Sequence, residues 1–143
     1  MNLLENIHEL WAADAVLAGM LAASRVSTGE GKNASLPFAV WTKDSQRPVM
    51  ISNDGETSDE VGLRCQIFHK TYDVGDQIAN RCKAVFHNGI FELESCGGSS
   101  SGITCCDTVM VMRRSNDFEI EEDDGVWRFV IDFIAKVHLP GGV

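Results

Sequence analysis

The chain has 143 residues, of which 21 are acidic and 12 basic, for a formal net charge of −9, and 44% of it is hydrophobic. That length serves one domain, the apolar share excludes global disorder, and the charge argues against sequence-specific nucleic-acid binding, because phosphate neutralisation needs clustered Lys and Arg. No apolar run approaches the roughly 20 residues of a membrane helix, and Glu5, His8 and Glu9 interrupt the N-terminal stretch, so neither a membrane span nor a secretory signal is expected.

Residues 2–12 carry Leu3, Leu4, Ile7, Leu10 and Trp11 at helical spacing, which predicts one amphipathic helix with Asn2 as its cap. Asp14 reads as a second N-cap, so a break near Ala13-Asp14 should open a short helix with Val16, Leu17, Met20 and Leu21 on its apolar side. Residues 28–35 read as a Gly-containing polar loop. Pro37 then begins a strand through Phe38-Ala39-Val40-Trp41, and Pro48-Val49-Met50-Ile51 suggests a second short extended piece. Residues 52–60 have nothing to bury and read as an exposed acidic loop.

Residues 61–70 alternate, with Val61, Leu63, Cys65, Ile67 and His69 on one face, which predicts a half-buried strand. Asp73 or Asp76 is expected to cap a following helix to about His87, with Ile78, Cys82, Val85 and Phe86 as its core stripe. Asn88-Gly89 should end it through a left-handed glycine. After a short strand over 90–94 comes a Ser/Gly loop over 95–102. A strand over 104–114 is expected to continue to Ile120 past an irregularity at Ser115-Asn116. Asp124-Gly125 then signals a tight turn into the strongest strand, 126–137, with Trp127, Phe129, Ile131 and Phe133 on one face. This order predicts an α+β fold: a mostly antiparallel sheet of four to six strands, two to three helices on one face, and a long C-terminal β-hairpin.

The search for chemistry is negative. Gly98-Ser99-Ser100-Ser101-Gly102 has the form of a nucleophile elbow, but Ile103-Thr104-Cys105-Cys106 after it is strand-like, where that mechanism needs a helix. Cys65, Cys82, Cys96, Cys105 and Cys106 show no metal-ligand spacing. Free thiols in a reducing cytoplasm are expected of them, and Cys96 has acidic neighbours that would not activate a thiolate. The acidic stretches lack the ligand order of a calcium loop. The expectation is therefore no catalytic residues, no metal and no cofactor.

Several segments, taken in order, resemble the tail-completion or tail-terminator proteins of long-tailed bacteriophages and prophages. Ala13-Asp14-Ala15-Val16-Leu17 is similar to the family's "L-x-A-D-x-A-L" segment, and Arg25-Val26 to the "R-V" after it. Leu36-Pro37-Phe38-Ala39-Val40 resembles an "x-P-Y-V-V" strand with Phe in place of Tyr, and Asp124-Gly125-Val126-Trp127-Arg128 resembles the closing hairpin. The Ser/Gly loop and the Cys105-Cys106 pair depart from the pattern. The resemblance implies a non-enzymatic structural protein that caps the tail tube as a ring, often hexameric, and meets tail-tube and head-completion proteins. Such a protein would be cytoplasmic during assembly and then part of the virion tail. A conduit should not hold its DNA tightly, so some of Asp54, Glu56, Asp59, Glu60, Glu121, Glu122, Asp123 and Asp124 are expected to face a lumen or a subunit seam, with Trp127 as an interface candidate. The alternative is a host-encoded small-ligand or protein-binding α+β module, which a deep apolar pocket would favour.

Overall fold

A computed structural model describes residues 3–28, 35–51, 57–93 and 108–139. The N-terminal stripe forms helix α1, Leu3–Ala13, with Leu3, Ile7 and Trp11 buried. The chain breaks at Asp14 as expected. Its backbone is extended (φ −83°, ψ 108°), and its Oδ1 accepts the Leu17 N–H at 2.8 Å, which starts α2, Ala15–Met20. Leu17 and Leu21 are buried, whereas Val16, expected on the apolar side, is 52% exposed. The Trp11 indole donates to the Leu21 carbonyl at 2.9 Å and fastens the two helices together.

A single 3-10 turn, Ala23–Arg25, leads into β1, Val26–Thr28, a strand too short to show alternation in the sequence. β2, Phe38–Ile51, absorbs both extended pieces into one strand. β3, Thr57–His69, begins four residues earlier than the alternation implied, so Thr57–Glu60 is strand and not loop. α3, Tyr72–Phe86, starts after Thr71 and not after an aspartate, and the left-handed residue beyond it is Asn88 (φ 59°), not Gly89. Asn tolerates that conformation because its short polar side chain bonds locally. β4 is Gly89–Leu93 and β5 is Thr108–Glu121, with its irregularity between Arg114 and Asn116 as expected. Asp124 and Gly125 both take φ of 72° at the tip, which the Glu122 N–H closes on the Val126 carbonyl at 2.7 Å. β6 is Trp127–Leu139.

The class is α+β: the described residues form three α-helices and one six-stranded sheet in the order β1-β2-β3-β6-β5-β4. The sheet is mixed, because β1 runs parallel to β2, while the other four pairings are antiparallel. One core fills the space between the helices and one sheet face. Leu63, Cys65 and Ile67 of β3 and Phe129, Ile131 and Phe133 of β6 meet Ile7 and Trp11 of α1 and Ile78, Cys82 and Phe86 of α3. Trp41, Phe86 and Phe133 form an aromatic cluster with ring centroids 5.1–6.1 Å apart. α3 sits close to β6 because Gly75 has no side chain: a Cβ there would run into the Phe129 ring.

Candidate assembly surface

Of the acidic residues singled out from the sequence, those that the structure describes do not form one patch. β3 and β6 pair antiparallel from Thr57↔Leu139 to His69↔Trp127. Asp59 and Glu60 therefore lie near one end of the sheet, and Glu121, Glu122, Asp124 and Trp127 lie at the other. Nine residues of strand separate Glu60 from His69, on the order of 30 Å at about 3.3 Å per residue. Asp54 and Glu56 lie outside the described residues, as does the side chain of Asp123.

At the first end the carboxylates are partnered. Gln46 Nε2 donates to Asp59 Oδ2 at 2.7 Å, and Arg47 reaches Glu60 at 3.1 Å across the β2–β3 pair. Those contacts explain how acidic residues sit in a strand: Arg47 lies directly opposite Glu60, and Gln46 reaches Asp59 diagonally across the pair. At the second end Glu122 lies 2.8 Å from Arg128 Nε. Trp127 packs edge-on to Tyr72 with centroids 4.8 Å apart, and the Tyr72 hydroxyl donates to Glu119 at 2.8 Å. That bond raises the phenol above its ordinary 10.0. Trp127 is thus half-buried against α3, and Phe129, Ile131 and Phe133 of the same stripe are core.

The sheet face without helices carries what the sequence did not reveal. Arg64 forks onto Asp132 at 2.8 and 3.2 Å, which raises the guanidinium pKa above its ordinary value. Phe38 stacks on Phe68 at 4.6 Å. Among the described residues, three large apolar side chains on this face remain open: Ile90 at 72%, Val111 at 45% and Phe118 at 39% exposed. Val111, Arg113, Ile134 and Lys136 line an open groove of about 180 Å³ with Asn88. The signal was present in the sequence, since Val111 alternates out of phase with the buried Met110 and Met112. It could be interpreted only once the covered face was known.

No chemical constellation emerges among the described residues. No group of three or more His, Cys, Asp or Glu side chains is placed to hold a metal ion. Cys65 and Cys82 are free, fully buried thiols facing each other between β3 and α3, and burial pushes the Cys65 thiol well above its ordinary 9.0. Burial also lowers His69 below 6.5. Ser100, Cys96, Cys105 and Cys106 lie outside the described residues. A second groove, about 330 Å³ between α1 and β1, is open and lined by Glu5, His8, Glu9 and Val26–Thr28. Neither groove is a deep apolar pocket of the kind that encloses a small ligand. Among the described residues, no helix is long and apolar enough to cross a membrane.

No family model and no curated protein matches the chain. Among solved structures it is similar to a chain from the "Virion of native gene transfer agent (GTA) particle". The TM-score is 0.65 and the identity 10%, over 96% of this chain and 95% of the other. At that identity the likeness is one of fold, and it extends over nearly the whole of both chains.

Proposed function

We propose that this chain is a structural protein of a phage or phage-like tailed particle, which caps the tail tube as an oligomeric ring and joins it to the head. The observation that carries the reading is the near full-length likeness of fold to a virion chain. It converges with the tail-completion resemblance of the sequence, which rests on different grounds: local motifs in one case and three-dimensional topology in the other. Fold alone does not fix function, so the surface matters too. It has open apolar side chains on a helix-free sheet face and two acidic ends separated by the length of a strand. These suit contacts with other proteins, and an acidic lining would let DNA pass without being held. A six-membered ring is the form the family resemblance implies.

The experiment is deletion of the gene from the genome that encodes the particle, followed by electron microscopy of the products. The proposal predicts filled heads without tails and free tails of irregular length, restored to joined particles by the gene supplied in trans. Particles of normal number and shape after deletion would reject it.

A further inference from the structure

We infer that two copies of this chain join edge to edge through matching notches in their sheets, β4 of one copy seating against β2 of the next while β1 of that next copy seats against β5 of the first. The inference rests on the ring proposed above and specifies its seam.

The outer strands of the sheet are short, and each covers only part of its neighbour. β1 pairs only with Ala39, Val40 and Trp41, so β2 has no outer partner over 42–51 among the described residues. β4 pairs only with Thr108–Met112, so among the described residues β5 has no outer strand beyond Met112. Past that strand the Arg114 N–H donates to His87 Nδ1 at 3.0 Å, and 115–121 has no outer strand among the described residues. Each edge of the sheet therefore has a projecting strand and a recess.

The register shows that projection and recess match in height. Followed across the sheet, Trp41 is level with Cys65, Ile131 and Asp117, and Ala39 with Ile67, Phe129 and Glu119. β1 thus projects at the level where β5 is recessed. On the other side Ile90 is level with Val111, Lys136, Glu60 and Arg47. β4 thus projects at the level where β2 is recessed. A second copy moved sideways, with no slip along the strands, fits both steps at once and keeps its helices on the same side of the sheet. Strand direction is satisfied as well: β4 would run parallel to the neighbour's β2, and β5 antiparallel to the neighbour's β1.

The exposed apolar groups lie along this seam. Ile90 and Val111 border the projecting β4, and Phe118 lies in the recess of β5. An apolar side chain left open on an edge strand is a pairing site unless something blunts it. β4 would lie level with the Gln46–Pro48 part of the neighbour's β2, where Pro48 has no N–H to give and the register shifts between Lys43 and Ser45 and between Pro48 and Met50, so backbone pairing there is interrupted and not continuous. The joint therefore relies on short strands and these side chains, not on a long ladder open to any partner. Because each copy gives a different edge to each neighbour, the contact is heterologous and repeats until it closes.

The test places a photo-crosslinking amino acid, p-benzoylphenylalanine, at position 90 in the full chain, with isotope-mixed protein so that links between copies are distinguished from links within one. The expected product joins position 90 of one copy to residues 42–51 of another. In parallel, Ile90→Lys and Phe118→Glu should each raise the concentration for half-assembly about tenfold or more, as loss of a central apolar contact does at other interfaces, with far-UV circular dichroism unchanged. Links that fall outside 42–51, assembly indifferent to both variants, or a wild-type chain that stays monomeric at high concentration and on tail tubes would each overturn the seam. Oligomers found at the tube end but linked elsewhere would overturn the seam and leave the proposed function standing. A chain that is monomeric and absent from particles would overturn both.

Discussion

The two faces of the sheet are built from the same strands and differ in what backs them. On the covered face, Phe129, Ile131 and Phe133 are each at most 2% exposed beneath α1 and α3. On the other, Arg64, Asp132, Arg128 and Gln66 form a polar lattice, and Ile90, Val111 and Phe118 stay open toward the β5 side. Alternation along β6 assigns successive residues to the two faces, so every second residue enters the core under the helices, while of the others Arg128, Asp132 and Lys136 carry polar groups and Val130 is itself buried. The lesson is a division of labour: changes on the covered face should act on folding, and changes on the open face on association.

Four substitutions test that division, beginning with the largest effect. Phe133→Ala removes a ring packed on Trp41 and Phe86, and should cost about 3–5 kcal/mol in denaturant unfolding. Gly75→Ala drives a methyl group into Phe129, which is buried and cannot move aside freely, and should cost about 1–3 kcal/mol by overpacking. Asp14→Ala removes the cap of α2 and should cost about 1 kcal/mol. Ile90→Lys should leave unfolding within about 0.5 kcal/mol of wild type, although it acts on assembly. A stability loss at position 90 comparable to that at 133 would erase the distinction between the faces.

The Asp14 site adds a pH signature. Arg81 bonds both carboxylate oxygens, at 3.2 and 2.7 Å, and the Leu17 N–H adds a third bond. The Arg81 contact first, and then the Leu17 bond, hold the Asp14 carboxyl below its ordinary 3.8. A carboxyl depressed in the folded state contributes stability above its unfolded value and loses it as pH falls through the folded one. Asp14→Asn keeps a capping side chain but not the charge. Its stability deficit against wild type should therefore be constant above about pH 5 and shrink as pH drops below 3.8, as measured by urea unfolding across pH. A deficit unchanged down to the acid limit would mean that the Arg81 pair contributes nothing.

Much of the fold was legible because its signals are local. The cap at Asp14, the alternation from Val61 to Ile67, the stripe of Ile78, Cys82 and Phe86, and the Asp124-Gly125 tip each lie within one element. What was not legible depends on partners distant in sequence. Asp59 and Glu60 looked like loop because their side-chain partners across the β2–β3 pair, Gln46 and Arg47, are 13 residues away. β1 carries no period of its own and exists through its pairing with β2. The division of the acidic residues between two ends of the sheet follows from the β3–β6 register, which joins residues about half the chain apart. The open apolar face was hidden for the same reason, since Val111 and Phe118 count as surface only when the helices are known to cover the other side.

The central claim is a position in a particle, and position can be seen. Particles assembled with an epitope-tagged copy of this chain, labelled with gold-conjugated antibody and viewed by electron microscopy, should carry label at one place only, the junction of head and tail tube. Label spread along the tube, at its far end, or absent from particles that contain all other components would contradict the account.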